Sequence, residues 1–300
     1  MNKAINNNLK TVPIVIFAFN RPSKLVSLLD SLEKNKEFHD SEVYIFVDKY
    51  LEKSDKKNNQ KVLEIANKPL NSKSTTVFYN DKNTGLKGNI LKGINFIFEN
   101  NQSAIFLEDD LVVGPYFLNF MNTSLYLYED NKEVMHISGY NFPTLIGNKS
   151  SASFTSLMNC WGWGTWKNRW EGVTNFSINK ISKANSKYRR KFNAYGFEKD
   201  YESQLIRNER NEIQTWAIFW YQHIYEQQGY CLQPSRSLVI NNGIDATGVH
   251  KSQTNIYNLK INIKKITNYP EKIRSNFIPK IQIIGFFIYK RLFKNFFNFY

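Results

Sequence analysis

Three adjacent carboxylates, Glu108, Asp109 and Asp110, interrupt an apolar stretch that reads AIFLEDDLVV over residues 104–113. The apolar residues before them are typical of a buried parallel strand, so the acids lie where that strand ends. Open α/β sheets bind ligands at this edge, and carboxylate oxygens suit Mg²⁺ or Mn²⁺. The triplet therefore predicts a divalent-metal site that holds a diphosphate, with a solvated acidic turn as the alternative.

A strand, a tight turn and a helix follow one another near the start of the chain. The apolar strand predicted at 13–19 breaks at Asn20, Arg21 and Pro22, and leucines at helical spacing come after it. Such a unit is typical of nucleotide binding, and Arg21 at the turn can hold a phosphate with two N–H groups. Pairing of Arg21 with a neighbouring carboxylate is the alternative.

Two further segments carry candidate nucleotide contacts. Asp48 follows the second predicted strand, at 43–47, where a carboxylate can accept hydrogen bonds from a ribose or a base edge. Lys87 lies in the segment NDKNTGLKGN, which follows a third predicted strand at 77–79 and could carry this lysine toward a phosphate. The alternative for that segment is a simple turn before the helix predicted at 90–98.

Four tryptophans are concentrated in the segment NCWGWGTWKNRW. They stand at positions 161, 163, 166 and 170. Indole rings stack on sugar faces and nucleobases, which makes Trp163 a candidate contact to a sugar or a nucleobase. Packing at the edge of the core is an equal alternative. The Gly-, Asn- and Ser-rich residues 141–155 before the motif predict a mobile loop near the site.

The general base and a further metal ligand have weaker candidates. Glu209 and Glu212 precede the aromatic helix predicted at 216–225 and are the only nearby candidates for the base. His250 follows a Gly-rich turn and is a candidate metal ligand through its imidazole, with a surface histidine as the ordinary alternative.

The length of the chain favours one large α/β domain or two modest ones, and its charge is uneven. The 300 residues are long enough for a buried core, and the formal net charge is +14. Residues 251–300 hold ten Lys or Arg against one acid, Glu271, and so contribute +9 of that charge. Two cysteines, an opening MNKAINNNLKT and the lack of any apolar run of roughly 20 residues predict a cytosolic protein with free thiols.

The end of the chain predicts an amphipathic helix over residues 285–300. Basic and amide side chains fall on one arc of this helix, and aromatic and apolar ones fall opposite: Phe286, Tyr289, Leu292, Phe293, Phe296, Phe297 and Tyr300. That pattern is typical of a helix that lies on an anionic membrane surface, here through residues 280–300. Docking of the aromatic face on the protein itself is the alternative. Nucleic-acid binding ranks low, because the charge is concentrated beside this apolar face.

Together these segments resemble a glycosyltransferase of the GT-A fold, more narrowly the N-acetylglucosaminyltransferase I type and bacterial capsule and lipopolysaccharide glycosyltransferases. The likeness is carried by VPIVIFAFNRP, FLEDDLVVGPYF, WGWGTW and LQPSRSLVINNGIDATGVH, and extends over about residues 12–250. It implies a Rossmann-like nucleotide-binding mixed sheet flanked by helices. Residues 1–11 are then a loose lead-in, 12–250 the catalytic domain, and 251–300 a membrane-associating tail.

The resemblance also implies roles for particular residues. Asp110, with His250 near it, would hold Mn²⁺ (or Mg²⁺) on the donor diphosphate, and Glu108 and Asp109 would hold the metal's waters, the ribose or the donor sugar. Arg21, together with Asn20, would contact the phosphates and Asp48 the nucleoside. The sequence departs from the family at one point, because Gln214 and Thr215 stand where an aspartate base precedes the tryptophan matched to Trp216. Either Glu212 or another acid serves as the base, or the reaction retains configuration, or the match is displaced by a few residues.

The expected activity is transfer of a hexosyl or N-acetylhexosaminyl group from a nucleotide-sugar, a UDP-sugar in the first place, to a glycan or lipid-linked acceptor. The expected location is the cytoplasmic face of the plasma membrane. One alternative is a sugar-nucleotide nucleotidyltransferase. Another is a carbohydrate- or membrane-binding protein that has the fold without catalysis, consistent with the missing aspartate.

Overall fold

A mixed eight-stranded sheet forms the centre of the molecule. The structure is a computed structural model that describes residues 10–144, 147–173, 185–198, 200–243, 256–257, 260–274 and 277–297. The strand order is β3-β2-β1-β4-β8-β6-β9-β7, in which β8 and β7 run antiparallel to their neighbours and the others are parallel. A separate antiparallel pair joins β5 to β10.

The first half of the chain alternates strands and helices, as βαβ units of a parallel sheet do. Its strands are β1 Ile14–Ala18, β2 Glu42–Val47, β3 Ser74–Tyr79, β4 Ser103–Glu108 and β5 Leu111–Val113. Its helices are α1 Pro22–Leu32, α2 Lys56–Ala66, α3 Gly85–Asn100 and α4 Phe117–Tyr128. The buried strands β1 and β4 lie side by side, so Arg21 and the acidic triplet come out at the same edge.

The second half completes the sheet and adds shorter helices. Its strands are β6 Val134–Ser138, β7 Ala152–Thr155, β8 Trp163–Trp166, β9 Tyr230–Pro234 and β10 Val239–Asn241. Its helices are α5 Lys167–Trp170, α6 Ser186–Phe192, α7 Asp200–Glu209, α8 Ala217–Glu226 and the C-terminal α9 Phe277–Phe297. No helix in the described ranges combines the length and apolar character needed to span a membrane.

The mixed α/β architecture that the sequence predicts is confirmed: a large, mostly parallel sheet is flanked by helices, consistent with a GT-A-like fold. The first three strands are confirmed, each within three residues of its predicted start and one of its predicted end.

The prediction of a loop over 141–155 is wrong for Ala152–Thr155, which forms β7 at the edge of the sheet. Polar residues such as Ser153 and Thr155 are compatible with an edge strand, whose backbone pairs with one neighbouring strand. That neighbour is β9.

Candidate functional site

Arg21 and the acidic triplet meet at the carboxyl edge of β1 and β4. The Arg21 guanidinium donates from Nη1 to Asp110 Oδ2 at 2.9 Å and from Nη2 to Asp109 Oδ1. The backbone fixes the geometry, because Asp109 N donates to Phe17 O of β1 at 3.0 Å. One arginine is therefore held in a fork between two aspartates, which is the pairing alternative that the sequence left open for Arg21.

Among the described residues, one carboxylate oxygen of Asp110 has no hydrogen-bond partner. Its Oδ1 is buried and accepts no hydrogen bond from them, although Oδ2 accepts one from Arg21. A buried charged oxygen without a partner is costly, so this atom points to a missing ligand. A cation is the ligand type that suits a carboxylate oxygen beside further acids.

The turn after β10 covers Asp110. Asn242 N donates to Asp110 O at 2.8 Å, and Lys24 Nζ donates to Asn242 O at 2.6 Å. A Cβ atom on Gly243 would lie only 2.2 Å from Asp110 Oδ2, so no larger residue fits there without moving the carboxylate. The β5–β10 pair, which sequence reasoning missed, thus seals this side of the acidic triplet.

Burial raises the pKa of two acids of the triplet, Glu108 and Asp109. Burial, with Asp110 as the next cause, raises the pKa of Glu108 to about 8. Burial also raises the pKa of Asp109 to about 6, although Arg21 opposes that change. For Arg21 itself burial lowers the pKa, but Asp109 and Asp110 outweigh it and the net change is upward. Arg21 adds one positive charge to these three acids, so a divalent ion would favour loss of the protons of Glu108 and Asp109 and balance their charge.

Cys160 and Trp161 lie in the segment that leads into β8. Burial, followed by the negative charge of Glu108, raises the pKa of the Cys160 thiol. The adjacent Trp161 makes edge-to-face contacts with Tyr140 at 4.5 Å and Tyr257 at 6.0 Å between ring centroids. Cys160 and Cys231 are free thiols, as the sequence predicts.

Asp48 lies at the same edge of the sheet and organises the loop before α3. Its carboxylate accepts hydrogen bonds from Thr84 N at 3.0 Å, from Thr84 Oγ1 at 3.1 Å and from Asn80 Nδ2 at 2.9 Å. Asp48 is buried. These contacts give the side chain a structural role, and a role in nucleoside binding stays a prediction.

Two other residues predicted to bind the nucleotide-sugar, Asn20 and Lys87, have contacts within the protein. Asn20 Nδ2 donates to Asp55 Oδ1 at 2.7 Å, which ties the β1–α1 turn to the N-terminal end of α2. Lys87 lies with its ammonium 4.8 Å from the ring centroid of Phe219, and burial lowers its pKa. Phosphate binding by Asn20 or Lys87 stays a prediction.

The structure corrects the stacking role of Trp163. This indole is 2% exposed and lies in the core, where Phe106, His136 and Trp216 pack against it at centroid distances of 4.6, 5.3 and 5.4 Å. No free ring face remains for a sugar or base, because β8 is an inner strand between β4 and β6. The packing alternative for the tryptophan motif is the right one at this position.

The structure describes the candidate base, Glu212, but not the candidate second metal ligand, His250. Glu212 pairs with Arg207 at 3.5 Å and Arg210 at 3.8 Å, and its side chain is 47% exposed. Thr215 stands immediately before Trp216, where the resemblance implies an aspartate base. Its Oγ1 accepts a hydrogen bond from Asn208 Nδ2 at 2.7 Å. His250 lies outside the described residues, as does most of the predicted lead-in at 1–11.

Across the described part of the chain, no group of three or more His, Cys, Asp and Glu side chains has the arrangement of a protein-only metal cage. Asp110 is therefore the metal candidate that the geometry leaves, since its free oxygen is directed into a buried position. Mg²⁺ and Mn²⁺ sites with substrate phosphates commonly use only one or two carboxylates, so this donor set fits such an ion.

Comparison with known proteins yields little. No protein-family profile matches the chain, and no curated protein matches its sequence. Among solved structures the chain is similar to S. aureus TarS at 13% identity, with a TM-score of 0.36, over 59% of this chain. The match spans 32% of the TarS chain, about a third of its length.

Proposed function

We propose that this protein is a metal-dependent glycosyltransferase that moves a sugar from a nucleotide-sugar, a UDP-sugar in the first place, to a hydroxyl of a glycan or lipid-linked acceptor. The observation that carries the proposal is Asp110 Oδ1, which lies beside Arg21 at the sheet edge and has no hydrogen-bond partner within the described ranges. A diphosphate is bound well where a cation and a bidentate hydrogen-bond donor lie side by side. At this edge Asp110 can be a ligand of the cation, and Arg21 is the bidentate donor.

Each side chain has a defined part in the proposal. Asp110 would hold Mn²⁺ or Mg²⁺ through Oδ1, and Arg21 would turn in part from Asp109 to the donor phosphates. Glu108 and Asp109, as carboxylates, would orient the metal's waters and the donor sugar. When bound, the ion would supply positive charge that stabilises the negative charge of the departing nucleoside diphosphate.

The experiment is a thermal-shift panel of nucleoside diphosphates with and without Mn²⁺ on the full chain. We expect one diphosphate to raise the midpoint by a few degrees only with the metal, since ligand at 100-fold its Kd adds about 2.7 kcal/mol of stability. Asp110→Asn should abolish the metal-dependent shift and lower release of nucleoside diphosphate by about 100-fold or more.

Asp30→Asn is the matched control, because it makes the same change at an exposed position on α1. It should leave both readouts unchanged. A wild-type protein that shows no metal-dependent shift with any nucleoside diphosphate, or an Asp110→Asn variant that keeps the shift, would overturn the proposal.

A second candidate function has one observation in its favour. Gln214 and Thr215 stand at the position of the expected base, and the alternative Glu212 is occupied by two arginines. A protein that binds the donor without catalysis would have this pattern. It would show the metal-dependent shift in the wild type but release no nucleoside diphosphate.

A further inference from the structure

Helix α9 docks on the protein by the face that carries Phe286 and Phe287. Both rings are 3% exposed and pack on Phe142, at centroid distances of 5.0 and 5.4 Å. Phe286 also contacts Tyr257 at 5.4 Å. Phe286 belongs to the aromatic arc that the sequence predicts for the membrane, so that part of the arc faces the protein instead.

The opposite face of α9 carries an exposed apolar stripe. Phe277 is 75% exposed, Ile281 42%, Ile288 43% and Leu292 56%. At roughly 100° per residue these four positions lie within about 60° of one another and on the far side of the helix from Phe286. Large apolar side chains aligned on one exposed face indicate an interaction surface.

Charge indicates what covers this apolar stripe. The described residues 260–274 and 277–292 include eight Lys or Arg against one acid, Glu271. Lys280 and Arg291 are exposed along one border of the stripe, whereas Lys290 turns inward and pairs with Glu198. A second copy of the chain would bring the same positive charge against itself, while a surface of anionic lipid would attract it.

We propose that the apolar stripe of α9, formed by Phe277, Ile281, Ile288 and Leu292, lies on a lipid bilayer that carries anionic headgroups. The helix then lies in the plane of the interface, with the stripe among the acyl chains and Lys280 and Arg291 at headgroup level. Apolar area and headgroup attraction together give the binding its strength.

The position of α9 relative to the site gives the stripe a functional meaning, which rests on the proposed transferase activity. Its inner face contacts Tyr257, and Tyr257 contacts Trp161 in the segment that leads into β8. Strand β8 pairs with β4, which ends at Glu108, so packed side chains and one strand pairing connect α9 to the strand that carries the acidic triplet. An acceptor linked to a lipid would be the class of substrate that such a placement serves.

The test is co-sedimentation of the full chain with vesicles of phosphatidylcholine alone or mixed with phosphatidylglycerol. We expect binding to the mixed vesicles that weakens as salt rises, and little binding to phosphatidylcholine alone. The double variant Ile288→Asp with Leu292→Asp should bind mixed vesicles at least about tenfold more weakly, because it places two carboxylates in the apolar stripe. The exposed Val26→Asp on α1 is the control and should bind as the wild type does.

Sedimentation velocity and the nucleotide thermal shift complete the experiment. Unchanged vesicle binding by the double variant would overturn the proposal. A wild-type protein that does not co-sediment with the mixed vesicles would also overturn it. A dimer that the double variant loses, without vesicle binding, would assign the stripe to a second copy and also overturn it. Because the thermal shift needs no lipid, failure of membrane binding and failure of the transferase proposal give separate results.

Discussion

Among the acids in the described part of the chain, Glu108 has the most strongly raised pKa. Its pKa rises to about 8 because it is buried and faces the negative charge of Asp110, while in the unfolded chain it titrates near 4.5. Between these two values the folded state binds more protons than the unfolded state does. Stability from this group is therefore fully present below about pH 4.5 and decreases as the pH rises toward 8. Asp109, raised to about 6, acts in the same direction over a lower range.

Glu108→Gln should remove this pH dependence. We expect the free energy of unfolding of Glu108→Gln, relative to that of the wild type, to increase by at least about 1 kcal/mol when the pH rises from 5 to 8.5, because one pKa unit corresponds to ~1.4 kcal/mol. The buffer is metal-free and contains a chelator. Urea unfolding at both pH values measures the gain.

The exposed Glu33→Gln serves as the control for Glu108→Gln. It should follow the wild type at both pH values. A Glu108→Gln variant whose stability falls with pH as steeply as that of the wild type would show that Glu108 titrates normally.

At the residue scale, the sequence left open that Arg21 pairs with a neighbouring carboxylate, and the structure shows Asp109 and Asp110 in that place because β1 and β4 end at one edge. The sequence could not predict that the turn at Asn242 and Gly243 covers Asp110. That contact depends on the β5–β10 pairing, over 120 residues apart in the chain, and three-residue strands leave almost no periodic signal.

The element that the tryptophan motif builds is an inner strand with a polar core residue beneath it. His136 is fully buried on β6, where its Nε2 donates to Asn159 O at 2.9 Å and its Nδ1 accepts from Trp220 Nε1 at 3.0 Å. A carbonyl only accepts and an indole N–H only donates, so the imidazole is neutral. Burial accordingly lowers its pKa to about 3. The histidine thus links β6 to α8 and to the loop before β8.

His136→Phe should destabilise the fold by about 2–4 kcal/mol, because it leaves two buried polar groups without partners. Urea unfolding followed by tryptophan fluorescence is the measurement. His39→Phe makes the same change at an exposed position and should stay within about 0.5 kcal/mol of the wild type. Equal midpoints for the two variants would contradict a structural role for the His136 hydrogen bonds.

At the element scale, the tryptophan motif shows where sequence patterns are ambiguous. Alternating indoles and glycines suit a sugar platform and an inner strand alike. In the structure the glycines allow close packing: a Cβ on Gly164 would lie 3.0 Å from Ala104 O of β4. Only the neighbouring strands decide between the two, and they are absent from any local pattern.

At the scale of the whole molecule, the C-terminal segment is joined to the body more closely than its composition suggests. The sequence divides the chain at residue 250 because the basic charge is concentrated after it, and that division stays a prediction. The described contacts of α9 include Phe142 and the ion pair from Lys290 to Glu198, both on earlier parts of the chain. Composition reports the solvent-facing charge and does not reveal which face of a helix is docked.

Two matched alanine substitutions distinguish a helix that is docked on the protein from one that is not. Phe286→Ala should cost at least about 3 kcal/mol, because it opens a cavity against Phe142 and Tyr257. Leu292→Ala on the exposed stripe should stay within about 0.5 kcal/mol in the absence of lipid. Urea unfolding of both variants in lipid-free buffer measures the difference. Equal small costs would mean that α9 leaves the body in solution, and the division at residue 250 would then describe the molecule better than the docked helix does.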